Sequence, residues 1–153
     1  MPHFPNHIWS AILAHEDTEL NPGATREAIN AFESECSFVL PDAHREFLLR
    51  CNGGIVGYCR LFGVGSKDYF DLKCQVIDMS QYIEGLIEKS VFPIASDWGG
   101  SFFCYDLRSP LTPLDYPVLY WNHEYSEEPE YQSEVWSEFA PNFVSFIEMI
   151  LKE

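Results

Sequence analysis

Between Arg108 and Lys152 the chain has no lysine or arginine at all, while Asp115, Glu124, Glu127, Glu128, Glu130, Glu134, Glu138 and Glu148 fall inside that interval. Positive charge is scarce throughout: 9 Lys and Arg stand against 24 Asp and Glu, a formal net charge of -15. Such a surface repels phosphate backbones and anionic lipid, which argues against direct binding to nucleic acid or membrane and favours a cationic partner. Many soluble proteins are acidic only to stay dispersed, but a solvated face usually interleaves both signs. A stretch this one-sided costs self-repulsion and reads as a field directed at something.

Other absences narrow the chemistry. Cys36, Cys51, Cys59, Cys74 and Cys104 are odd in number, form no Cys-x-x-Cys pair and lie in apolar contexts, so they read as buried thiols in a reducing compartment. No lysine or arginine precedes Arg26, no long apolar run opens the chain and none approaches a membrane span, so the expected location is cytoplasmic. Gly63-Val64-Gly65-Ser66-Lys67 has the wrong glycine spacing for a phosphate loop and does not lead from a strand into a helix. His15-Glu16-Asp17 and His123-Glu124 gather potential metal ligands, but no second histidine sits one helical turn away. Cys104 lies in the middle of an apolar strand, which raises a thiol pKa and disfavours nucleophilic use. Asp97 and Asp106 bracket that strand and stand too far apart to share a proton. No catalytic residue, metal or cofactor is expected.

What the chain does hold is aromatic bulk. Its 153 residues are 46% hydrophobic and 16% aromatic, enough for one domain over 1–153 with a real core. The organising stretch is Asp97-Trp98-Gly99-Gly100-Ser101-Phe102-Phe103-Cys104-Tyr105-Asp106, a glycine turn feeding a strand with bulk on both alternating faces. Pro117 to Trp121 has the same two-sided character and is expected to pair beside it. Asp97 reads as an Asx-type turn residue with Gly99 and Gly100, and Trp98 on the bend as either a lid on the core or an interface anchor.

Ile8, Trp9, Ile12 and Leu13 predict a short opening helix. Asn21-Pro22 predicts the start of a second, running to about Glu35, and Pro41 the start of a third that Asn52-Gly53-Gly54 closes. Val56 to Phe62 reads as one strand. Asp71 to Glu84 fits a helical face, although Val76-Ile77 could equally be a short strand. Val91 to Ala95 reads as a strand at an edge or entering the sheet, because Pro93 cannot donate to a ladder. A short strand is expected around Gln132 to Trp136. Phe143, Phe146, Ile147, Ile150 and Leu151 define a closing helix with Pro141 in its first turn. The expected class is α+β, a mostly antiparallel central sheet of about four to six strands flanked by helices.

Three stretches together resemble the SUKH superfamily, which includes bacterial toxin-immunity proteins and the fungal Smi/Knr type of cell-wall synthesis regulator. The first is Ile29-Asn30-Ala31-Phe32-Glu33, Leu40-Pro41 and Phe47-Leu48 leading into Asn52-Gly53-Gly54. The second is Phe92-Pro93-Ile94-Ala95 with Asp97, Gly99, Gly100 and Tyr105-Asp106. The third is Val118 through Trp121 to His123-Glu124, followed by the phenylalanine-rich terminal helix. One departure is Ser101, where the family pattern often carries asparagine or aspartate. The resemblance implies an antiparallel-rich sheet with helices and a binding domain without catalysis, which in bacterial members neutralises a polymorphic or contact-dependent toxin, frequently a nuclease. A cationic nuclease surface would suit the acidic charge.

The partner expected on these grounds is a cognate toxin or other basic protein domain. Glu124, Glu127, Glu128 and Glu130 would steer it, and Trp98, Trp121, Tyr125 and Tyr131 would anchor it. The alternative is a regulatory or scaffold module of the Smi/Knr type that binds a cellular protein unrelated to toxins. An enzyme using His123-Glu124 is the third reading.

Overall fold

Phe102–Asp106 form a strand with every side chain buried, because rings and thiol project from both of its faces. Around it the computed structural model describes residues 4–65, 71–72, 91–122 and 136–152. In chain order the elements are α1 (Asn6–Ala14), β1 (Glu19–Leu20), α2 (Arg26–Cys36), α3 (Asp42–Arg50), β2 (Gly54–Val56), β3 (Cys59–Leu61), β4 (Val91–Asp97), β5 (Phe102–Asp106), β6 (Val118–Trp121), β7 (Trp136–Ala140) and α4 (Phe143–Leu151). The strands form one sheet in sequential order, and every neighbouring pair is antiparallel. The class is α+β as expected, with seven strands among the described residues. No helix among these residues is long and apolar enough to cross a membrane.

One face of the sheet is covered by the helices. Phe146 of α4 lies 5.1 Å from the Phe103 ring, and Phe143 packs on Phe47 of α3 at 5.6 Å. Trp9 of α1 stacks on the same Phe47 at 5.3 Å, and Phe38 stacks on Phe92 of β4 at 4.3 Å. Within this layer His44 and Tyr105 form a buried polar pair, the His44 Nδ1 2.8 Å from the Tyr105 hydroxyl, while the His44 ring stacks 4.2 Å from Phe143. On the other face Phe102 and Cys104 are buried too, with Phe102 tilted against Phe62 and Trp121.

Several boundaries differ from the sequence expectation. The second helix starts at Arg26, capped by the Thr25 hydroxyl, which accepts the Ala28 N–H. Asn21 and Pro22 are occupied elsewhere: Asn21 N–H donates to the Gly53 carbonyl, its Nδ2 to the Asn52 carbonyl, and Asn52 N–H to the Pro22 carbonyl. Val56 to Phe62 is a hairpin rather than one strand, since Gly57 at φ 60 takes the first central position of a tight two-residue turn. β4 is an interior strand despite Pro93. The β3 ladder reaches only as far as Ala95, and the β5 register shifts between Pro93 and Ala95, so no bond is lost to the missing N–H. The third helix ends at Arg50 because Cys51 turns extended, leaving Asn52-Gly53-Gly54 to form the turn into β2. The closing helix begins at Phe143, so Pro141 precedes its Asn142 cap rather than lying in its first turn, and Asn142 Oδ1 accepts the Ser145 N–H. The expected helix over Asp71 to Glu84 lies almost wholly outside the described residues, as does the strand segment before Trp136.

Candidate functional site

Antiparallel register decides which loops share an end of the sheet. Asp97 pairs with Cys59, Ser96 with Phe102, Phe102 with Trp121, and Trp121 with Trp136. The Gly57-Tyr58 turn, the Trp98 turn and the points where the chain leaves β6 and re-enters β7 therefore lie at one end. Asp106 lies at the opposite end, facing Val91 and thus about 20 Å from Asp97 at the usual rise per strand residue.

The Trp98 turn is tied by one carboxylate. Asp97 Oδ1 accepts the Gly99 N–H at 2.9 Å and the Ser101 N–H at 3.0 Å, and Oδ2 accepts the Tyr120 hydroxyl at 2.8 Å. The Asp97 N–H in turn donates to the Ser101 carbonyl at 3.0 Å, and Gly100 supplies the positive φ of 95° that closes the loop. Ser101 is buried inside this loop and is not a surface contact. Trp98 stands out from it with 64% of its surface exposed.

The indole borders a shallow cleft of about 590 Å³ whose described lining comprises His15, Glu16, Asp17, Thr18, Glu19, Ile55, Gly57, Tyr58 and Trp98. The loop after α1 reaches it because β1 pairs with β2, bringing Glu19 opposite Ile55. Glu16, Asp17 and Glu19 are exposed, and none is paired with a basic side chain among the described residues. His15 Nδ1 accepts the Asp17 N–H at 3.3 Å. No three His, Cys, Asp or Glu side chains among the described residues converge as a metal-holding group.

The other anticipated positions fall as follows. Trp121 is buried, 6% exposed, because the strand carrying it is covered on both faces; it supports this end of the sheet from within rather than presenting a ring. Glu124, Tyr125, Glu127, Glu128, Glu130 and Tyr131 lie outside the described residues. Asn52 Oδ1 accepts the Val64 N–H and its Nδ2 donates to the Val64 carbonyl, both at 2.8 Å, while Gly53 and Gly54 carry positive φ. At the far end Asp106 Oδ1 accepts both the N–H and the Nε–H of Arg108, closing the turn after β5. Sequence reasoning did not connect Glu16, Asp17, Glu19 and Tyr58 with Trp98, since they meet only through strand pairing. The one available signal was the bare cluster of acids after α1.

The three buried thiols are poorly suited to chemistry. Burial pushes Cys51 up to about 12 and raises Cys59 and Cys104 further. Burial also lowers His44 to about 3, and it sits with Tyr105 inside the core. What the described surface offers here is an exposed indole on a tied turn, beside carboxylates that are unpaired among the described residues.

No curated protein matches the chain. A family model, described as the SMI1 / KNR4 family (SUKH-1), matches residues 23–149, most of the 153-residue sequence.

Proposed function

The chain belongs to the SMI1 / KNR4 family (SUKH-1), and from that premise we propose that it is a non-catalytic binding domain, an immunity protein that neutralises a cognate basic toxin of nuclease type. Family membership fits an immunity protein or a Smi/Knr-type interaction domain. The observation that carries the toxin reading is the one-sided charge: a net -15, with no lysine or arginine between Arg108 and Lys152. A nuclease attracts phosphate with a cationic surface, and a protein offering carboxylates to that surface competes for the same field and associates fast. Trp121 and Trp136, between which Glu124, Glu127, Glu128 and Glu130 fall in the sequence, lie at the end of the sheet that bears Trp98. In this reading those carboxylates steer the partner and Trp98, Tyr125 and Tyr131 set its residence time.

The test is association with the product of the neighbouring gene, followed by stopped flow at rising ionic strength. Tight binding with an on-rate that falls by about tenfold or more between low and physiological salt supports the reading. Absence of a toxin gene beside this one, together with capture of a regulatory protein instead, would favour the scaffold alternative.

A further inference from the structure

Resting on the binding-domain reading, the geometry points to the Trp98 cleft as a subsite for one arginine side chain of the partner protein, its guanidinium stacked on the indole and hydrogen-bonded to carboxylates from Glu16, Asp17 and Glu19. Three observations converge on that occupant. The cleft, at about 590 Å³, lies in the size range of pockets that enclose small groups, and its described lining contains three carboxylates and no lysine or arginine. Trp98 is 64% exposed on a turn whose backbone the Asp97 carboxylate ties, so the loop beneath the indole needs no reordering on binding. The carboxylates are unpaired among the described residues, so their field is available to a cation from outside.

Arginine suits the cleft better than lysine. A guanidinium is planar and weakly hydrated, so it stacks on an aromatic face while its edge donates to carboxylates, whereas an ammonium keeps its water. The molecule already builds half of this arrangement internally, with the Arg50 guanidinium carbon 4.2 Å from the centre of the Trp9 ring. The Trp98 cleft supplies the ring and the anions, and leaves the cation to the partner.

The experiment uses the full chain labelled with ¹⁵N and follows the Trp98 indole N–H, assigned from the spectrum of Trp98→Phe. Hexa-arginine is expected to move that signal saturably at low salt, with hexa-lysine at least threefold weaker and hexa-citrulline inert. Trp98→Ala, and separately the triple variant Glu16→Gln, Asp17→Asn, Glu19→Gln, are each expected to weaken binding of the neighbouring-gene product at least tenfold with no fall in thermal midpoint. An indole signal indifferent to hexa-arginine, equal response to hexa-lysine, or full-strength binding of that product by Trp98→Ala would overturn the assignment. The two proposals separate cleanly. Wild-type protein that ignores the neighbouring product but still responds to hexa-arginine removes the toxin reading and keeps the arginine subsite.

Discussion

His44 is a histidine with no access to water: it is 1% exposed, stacked on Phe143, and its Nδ1 lies 2.8 Å from the Tyr105 hydroxyl. Burial holds its pKa near 3 in the folded protein, against 6.5 for the free side chain. The folded state therefore keeps it neutral at pH values where the unfolded chain takes up a proton. Its contribution is fully present above pH 6.5 and is lost as pH falls from there toward 3. Between pH 6.5 and 5 that amounts to roughly 2 kcal/mol, at 1.36 kcal/mol per unit. Asp115, raised mainly by burial, acts with the opposite sign, because a carboxyl that binds its proton more readily when folded gains stability as pH falls. Comparing wild type with His44→Gln cancels the Asp115 part. Urea melts across this range should show wild type losing about 2 kcal/mol more than the variant. Equal losses in the two proteins would mean that His44 is protonated inside the fold.

At the scale of elements, the hairpin joining β4 to β5 depends on Asp97. Asp97→Ala removes the acceptor for Gly99, for the buried Ser101 N–H and for the Tyr120 hydroxyl. The expected cost is roughly 2–3 kcal/mol, and Asp97→Asn, which keeps one carbonyl oxygen, should cost under about 1 kcal/mol. Denaturant melts of the two variants check the ranking. Gly57 is a second such point. It has φ 60, and an added Cβ would lie 2.5 Å from the Ile150 carbonyl oxygen of α4. Gly57→Ala should therefore cost at least about 2 kcal/mol, with α4 pushed from the hairpin. These elements were unevenly legible. β5, β6 and α4 could be read because dense apolar runs force burial whatever the surroundings. β1 could not, since two residues carry no periodicity. Asn21-Pro22 has the chemistry of a helix start, but backbone partners at Asn52 and Gly53 claim it, and local propensity cannot foresee a contact thirty positions away. The site followed the same rule. Trp98 was legible as an exposed ring or a lid, whereas its acidic neighbours arrive through the β1–β2 and β3–β4 ladders. Trp121 was expected at the surface although its own strand has two covered faces, and that burial pattern is what governs it.

At the scale of the whole molecule, one net charge acts with two signs. Fifteen excess negative charges repel one another in the folded chain and lie closer together there than in the unfolded one, so they tax stability. The same excess draws a cationic partner in. Salt screens both effects, over a Debye length that shrinks from about 30 Å at 10 mM to about 8 Å at physiological strength. Raising NaCl from 10 to 150 mM should therefore increase the thermal midpoint, by about 2–4 °C for each kcal/mol of repulsion removed from a chain of this size. Over the same range the on-rate for a cationic partner should fall. Differential scanning fluorimetry and stopped flow on one set of samples would read both. A midpoint that rises while the on-rate drops assigns the charge to binding at a cost in stability. A midpoint that does not move would mean that the acidic groups are too dispersed to repel, and groups so dispersed could not focus a steering field at one end of the sheet either.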